Sequence, residues 1–390
     1  MYTLSDESAM ASTAEINPAL IKPARKPALP ALTGIRTFLA VNIVFFHFSN
    51  PAWFGPFAPV VNNGYTGVSF FFLLSGFILS YNYADRGGSL NKREFWLARF
   101  SRLYPVYILS LLISFHMLQM EWQYQTRTHF IEGIILTPLL LQGFSPLLAT
   151  FWNTVAWTLS SEVMLYIAFP WLVKMKWPQS ARKLILIVIG CWLVGLILPS
   201  LYVWINPDGL AHADRFSGGM WLRALKFTPP PYILTFFAGL MLGKLQNVLV
   251  LSKWQRFAVA LTGVVAAALF YHYLVAIVPY PMVHGGMMTP IFALIIIGLG
   301  GPHPISGFFG WKPFVLIGEA TYCLYLLHFN SWNLIHDHHL WDHLHLVKYD
   351  PWVSYILLVV IALAAYHLVE NPCRKWILSR WSHKASAKTN

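Results

Sequence analysis

The sequence predicts an all-α fold: a polytopic membrane helical bundle of about ten transmembrane helices, with both termini in the cytoplasm. Three observations predict it. Hydrophobic residues make up 57% of the 390 positions and charged residues only 11%. A soluble domain carries roughly 45–50% and 25%, so this chain lacks the polar side chains to cover a water-facing surface. The apolar residues also run in long unbroken stretches, without the ten-residue alternation of a transmembrane barrel. Finally, the Lys and Arg residues fall between those stretches and mostly on one side.

Residues 1–30 are rich in Ser, Ala and Pro and hold no long apolar run. They read as a disordered cytoplasmic tail, because they bury too little to offset the entropy of ordering. No secretory cleavage pattern follows the first apolar run. Residues 31–373 form the transmembrane domain and 374–390 a basic cytoplasmic tail. A hydrocarbon core of about 30 Å takes roughly 20 apolar residues per helix. Ten stretches qualify: 33–51, 65–83, 103–120, 154–173, 184–205, 230–243, 257–278, 286–300, 314–335 and 352–371, the sixth and eighth being short. The apolar stretch 130–149 is broken by Pro138, Gly143 and Pro146 and reads as a re-entrant or interfacial piece. With the N-terminus inside, only Arg127, Arg215, Arg223, Lys226 and Lys348 of the 27 Lys and Arg residues fall outside, a strong positive-inside bias. An eleventh span would reverse everything after residue 150 and place Lys174 to Lys183 outside. Topology therefore accounts for the net charge of +12, and no nucleic-acid partner is expected. The three cysteines show no paired or CxxC spacing and read as buried hydrophobes. Neither an internal repeat nor a matched pair of broken helices of the transporter kind is visible.

Ionisable groups within spans are expensive and are functional candidates by default. His47 lies in the first span, where an imidazole can take a proton from an attacking hydroxyl and pass it on. Arg36 precedes it by 11 residues, roughly 16 Å along a helix. Glu162 sits eight residues into the fourth span, roughly 12 Å from its outer end. It is therefore expected in the same half of the bundle as His47, orienting the imidazole as the third member of a triad does. Arg99 and Arg102, at i and i+3, share a helix face at an inner edge and suit phosphate through their planar forks. Tyr322, Tyr325 and His328 share a face of the ninth span. Tyr325, His328 and Trp157 are candidates to contact substrate, and Tyr325, Trp157 or backbone N–H groups to stabilise an oxyanion. Each residue also has a structural explanation: a satisfied core histidine, a snorkelling arginine, an aromatic belt. The loop 336–345, with five histidines, invites a metal reading but lacks an HExxH motif, and no metal is expected.

Six blocks, in order from residue 32 to 372, resemble the acyltransferase 3 family of integral-membrane O-acyltransferases. They are Leu32-Thr-Gly-Ile-Arg36 with His47, Gly67 to Phe77, Arg99-Phe-Ser-Arg102 with Tyr104-Pro105, Trp157 to Glu162 with Tyr166 and Pro170, Thr321 to His328, and Glu370-Asn371-Pro372. The resemblance implies transfer of an acyl group, by default acetyl, from cytoplasmic acyl-CoA to a hydroxyl of an exported sugar or glycolipid. The setting would be a bacterial inner membrane, with membrane lipids around the bundle. It implies His47 as catalytic base, Arg36 as a supporting donor-side residue, and Arg99 with Arg102 as the donor-binding pair. Two positions depart from the family pattern: Thr33 replaces the usual Asp and Thr321 the commoner Ser. An extracytoplasmic esterase-like domain is also missing from the sequence, so the membrane domain is expected to complete the transfer itself. The expected mechanism is direct attack, with a covalent acyl-histidine as the other possibility. The competing class is a proton-coupled transporter relaying through His47, Glu162, Glu319 and Glu370.

Overall fold

The computed structural model describes residues 26–386, so most of the expected N-terminal tail lies outside the described residues. Every regular element among them is helical. The principal helices are α1 (Pro30–Phe48), α2 (Thr66–Tyr83), α3 (Lys92–Ile113), α4 (Arg127–Leu136), α5 (Trp157–Leu172), α6 (Ala181–Gly195), α7 (Ile197–Ile205), α8 (Met220–Phe227), α9 (Pro230–Val248), α10 (Lys253–Leu269), α11 (Thr289–Leu299), α12 (Lys312–Glu319), α13 (Thr321–Asp337), α14 (Trp352–Ala365) and α15 (Asn371–Ser386). The basic segment after residue 373 is thus helical as far as Ser386.

Among the described residues, five helical stretches are long and apolar enough to cross a membrane: Pro30–Phe48, Ala181–Ile205, Lys253–Leu274, Tyr280–Leu299 and Trp352–Trp381. Two bent pairs bring the number to seven: Pro51–Asn62 with Thr66–Tyr83 at 48°, and Lys92–Ile113 with Met117–Tyr124 at 72°. The three other expected spans are present as α5, α9 and α13, but none meets the same test. The reason is length for α5 and α13, at 16 and 17 residues, and polarity for α9. Helix α5 has 16 residues and carries Glu162, α9 ends on Lys244, Gln246 and Asn247, and α13 carries His328, Asn330 and Asn333 after a break at Ala320. A helix wrapped by other helices does not need a lipid-facing surface, and two of these three form walls of the cavity described below.

The stretch 130–149 is not a crossing helix. Helix α4 is ten residues long, and turns with one short 3-10 segment fill 137–156. Leu140 and Trp152 have positive φ there, at 59° and 64°. Irregular backbone at this depth needs partners for its polar groups, and side chains provide them. Tyr104 donates to the Pro138 carbonyl at 3.0 Å, Arg223 to that of Pro146 at 2.8 Å, and Asn153 to Ser110 Oγ at 3.0 Å and the Leu326 carbonyl at 3.2 Å. Asn153, Val155 and Ala156 are buried, so α5 begins inside the bundle and not at its surface.

Without a hydrophobic force between helices in lipid, close van der Waals packing holds them together, and small residues allow it. The closest pair is α2 with α9. A Cβ on Gly239 would collide with the Leu73 carbonyl, and one on Gly76 with that of Phe236. Helix α1 packs on α12 and α13 in the same way, with Gly318 against the Thr33 carbonyl. We predict that Gly239→Ala lowers stability by about 1–3 kcal/mol, as overpacking does. Gly190→Ala on α6, where nothing lies within 4 Å, costs nothing. Thermal unfolding in detergent checks both, and equal effects contradict the packing argument.

Candidate active site

A cavity of about 240 Å³ lies among α1, α2, α3, α5 and α13. Arg36, Arg99 and Arg102 line it, and Glu162 stands opposite. Ser75 donates to Glu162 Oε1 at 3.0 Å, and the Tyr166 hydroxyl, one turn further along α5, donates to the same oxygen. Arg102 Nε lies 3.7 Å from Glu370 Oε1, and Cys323 Sγ reaches the other Glu370 oxygen at 3.3 Å. Tyr322 is turned into the backbone, donating to the Leu103 carbonyl at 2.7 Å. Arg99 Nε is buried with no hydrogen-bond partner, and its guanidinium faces the Tyr166 ring at 5.9 Å. Arg374, half-buried in the first turn of α15, stands within electrostatic range of Arg99, Arg102 and Glu370. Four guanidiniums therefore meet two carboxylates. Such a surplus, presented as planar forks in a poorly solvated cleft, suits a polyanion such as a phosphate ester.

The histidine end is built differently. His47 occupies the last turn of α1, its ring centroid 5.2 Å from that of His328 at an angle of 41°, and 5.4 Å from Phe329 at 87°. Neighbouring Phe48 stacks on Trp332 at 4.2 Å, and Trp332 on His336 at 4.2 Å. The loop between α7 and α8 closes over this turn. There Arg215 donates to the Phe46 carbonyl at 2.8 Å and covers its ring at 3.9 Å. That contact satisfies one of the free carbonyls at the end of α1 with a cation, as helix C-termini favour. Outside the spans, burial pushes the Lys226 ammonium down to about 8, and its Nζ donates to the Arg215 carbonyl at 3.0 Å.

The expected residues thus divide into two groups. Arg36, Arg99, Arg102, Glu162 and Tyr325 line one cavity. His47 and His328 pair next to it without lining it. Among the residues that line the cavity, Tyr325 has its ring 5.9 Å from that of His328, and its hydroxyl reaches the Val155 carbonyl at 3.4 Å. Two of the expected residues are held by other partners. Glu162 does not meet His47; its partners are Ser75 and Tyr166. The depth estimate failed because the buried 153–156 segment starts α5 well inside the bundle, shifting Glu162 toward the arginines. Trp157 does not line the cavity but packs against Phe227 at 5.5 Å and Tyr232 at 5.3 Å. Among the described residues no three His, Cys, Asp or Glu side chains gather as a metal set. In the histidine-rich loop, His336 pairs with Asp350 at 3.2 Å and His339 with Asp342 at 3.3 Å.

Sequence reasoning did not assign Ser75, Tyr166 or Arg374 to the site, and it named Glu370 only in the alternative proton relay. Two signals were available. Tyr166 follows Glu162 by four residues, and Arg374 follows Glu370 by four, a spacing that places each pair on one helix face.

A family described as an acyltransferase domain matches residues 29–366. The chain belongs to this acyltransferase 3 family of integral-membrane O-acyltransferases. It is 26% identical to the acyltransferase MdmB of Streptomyces mycarofaciens, across 79% of this chain and 80% of that protein. It is 23% identical to the O-acetyltransferase OatA of Staphylococcus aureus (strain NCTC 8325 / PS 47) across 89% of this chain. It is 22% identical to the peptidoglycan O-acetyltransferase OatA of Listeria monocytogenes, also across 89%. The chain spans 57% and 56% of the length of these two OatA proteins. No solved structure matches.

Glu370 is 2% exposed, whereas the Arg102 side chain keeps 30% exposure. Breaking a fully buried pair costs about 3–5 kcal/mol. The partial solvation here reduces the expected cost of Glu370→Gln to about 1–2 kcal/mol. A double-mutant cycle with Arg102→Gln, read by thermal unfolding, should show non-additivity; strict additivity contradicts the coupling.

Proposed function

We propose that the protein is an O-acyltransferase that moves an acyl group, most simply acetyl, from cytoplasmic acyl-CoA to a hydroxyl of an exported carbohydrate or glycolipid. Family membership sets aside the transporter alternative. The observation that carries the donor assignment is the cavity with more guanidiniums than carboxylates. Its volume, below the roughly 300–1,000 Å³ of pockets that enclose a whole drug-sized ligand, suits a slender arm and not a nucleotide. In this reading both termini face the cytoplasm. The CoA phosphates rest at the basic end on Arg99 and Arg102, with Arg374 beside them. The uncharged pantetheine arm enters past Arg36 and Glu162 and reaches toward Tyr325. Beyond Tyr325 stands His47, roughly 16 Å of helix rise from Arg36. Tyr325 must turn aside for the thioester to arrive, giving up a long hydrogen bond to the Val155 carbonyl and its contact with the Thr158 hydroxyl.

The chemistry is then direct attack. The acceptor oxygen bonds to the thioester carbon as His47 takes the hydroxyl proton, the C–S bond breaks, and His47 returns the proton to the departing thiolate. Holding both reactants in one cleft supplies proximity. Tyr325 is placed to donate to the developing oxyanion. The relatives named O-acetyltransferase, one of them acting on peptidoglycan, favour a sugar hydroxyl as acceptor and a bacterial inner membrane as the setting.

His47→Ala is expected to abolish acylation of surface glycans, read as the loss of the acyl mass increment by mass spectrometry, with the protein still inserted; unchanged acylation contradicts the base assignment. Arg99→Gln with Arg102→Gln is expected to weaken acetyl-CoA binding by at least about 100-fold, since hydrogen bonds to charged groups contribute about 1.5–3 kcal/mol each. Calorimetry in detergent measures this, and an unchanged affinity removes the donor site.

A further inference from the structure

The tautomer of His328 is fixed by its surroundings. Its Nδ1 lies 2.6 Å from the Tyr325 carbonyl oxygen, which only accepts, so Nδ1 carries the hydrogen. A neutral imidazole protonated there has a bare lone pair on Nε2. That nitrogen is buried and has no hydrogen-bond partner, and the residue is 0% exposed. A buried acceptor without a donor is costly and calls for an explanation. The ring beside it is His47, 5.2 Å away between centroids and tilted by 41°. The His47 side chain makes no hydrogen bond to the described residues. At that separation, ring edges turned toward each other bring two nitrogens within hydrogen-bond reach.

We propose that His328 is the positioning residue for His47: its Nε2 accepts the N–H of His47 and leaves the other His47 nitrogen bare toward the acceptor hydroxyl. The role rests on the reading of His47 as base. It is the role of the carboxylate in a serine-protease triad, which fixes tautomer and ring orientation without itself being protonated. A neutral partner performs it here. In an apolar interior that has a physical advantage, since a carboxylate at this depth would bring a desolvation cost of its own. The carboxylate expected for the role, Glu162, is held instead by Ser75 and Tyr166. During transfer the hydroxyl proton passes to His47 and on to the thiolate, so His328 neither gains nor loses a proton over the reaction. The backbone sets the arrangement. His328 and Tyr325 lie one turn apart on α13, so the carbonyl that fixes the tautomer belongs to a residue that lines the cavity.

The test is ¹⁵N solid-state NMR of the full chain, histidine-labelled, in lipid bilayers. His47→Phe and His328→Gln assign the two rings by difference. The expected wild-type result is His328 protonated at Nδ1 and bare at Nε2, with the His47 N–H bonded to nitrogen. His328→Phe, which keeps a ring but no acceptor, should remove that bond and lower glycan acylation in cells at least tenfold. His328→Gln offers a carbonyl oxygen near the place of Nε2 and should restore most of the activity. Protonation of His328 at Nε2, a His47 signal indifferent to His328→Phe, or equal loss in the Phe and Gln variants overturns the proposal. If the Phe variant fails to insert, the wild-type tautomer and the Gln variant decide. The spectra need no acyl donor. Full activity of His47→Ala would therefore sink the base assignment while leaving the histidine pairing standing on its own result.

Discussion

A guanidinium in a poorly solvated interior must find negative charge or water, and the organisation of this protein follows from that requirement. Glu162 and Glu370 neutralise part of the charge of Arg36, Arg99, Arg102 and Arg374, and the single ion pair among them is loose, at 3.7 Å. Arg99 Nε is left with no partner. The remainder is a standing demand for an anion at one end of a narrow cavity. The rest of the fold brings five helices close enough to build that cavity and prevents it from collapsing. Glycines at the α2–α9 and α1–α12 crossings let backbones touch where side chains would hold them apart.

Two helices connect the charged end to the histidine end. Helix α1 carries Arg36 and His47 three turns apart, so a single rigid rod sets their separation. Helix α13 carries Tyr322, Tyr325 and His328 on one face, leading from the cavity wall to the ring beside His47. Between the two ends stands Tyr325, which lines the cavity and has its ring 5.9 Å from that of His328. At one end the cavity offers charge to a polar ligand; at the other the rings of Phe48, Phe329 and Trp332 surround the imidazoles. A ligand with a polyanionic head and an uncharged arm would match both environments.

Much of this was legible in the sequence because it depends on local pattern. The apolar runs located the helices, and the i, i+3 spacing of Arg99 and Arg102 placed both on one wall. The 11-residue interval from Arg36 to His47 gave their separation along α1. The place of Glu162 was not legible, because it depends on the backbone between 137 and 156. Counting depth from the start of a span assumes that the span starts at the membrane surface. Here Asn153 ties the segment to Ser110 and Leu326 inside the bundle, and Glu162 moves with it toward the arginines. Seven of the ten expected spans are long and apolar enough to cross a membrane when the bent pairs are included; α5 and α13 are shorter, and α9 ends in polar residues.

The most direct measurement is a cryo-electron microscopy structure with a non-hydrolysable acetyl-CoA analogue bound. The prediction is phosphate density against Arg99, Arg102 and Arg374, the arm threaded past Glu162, Tyr325 rotated aside, and the sulfur position beside His47. A nucleotide seated at the histidine end, or an arm that never passes Tyr325, would contradict it.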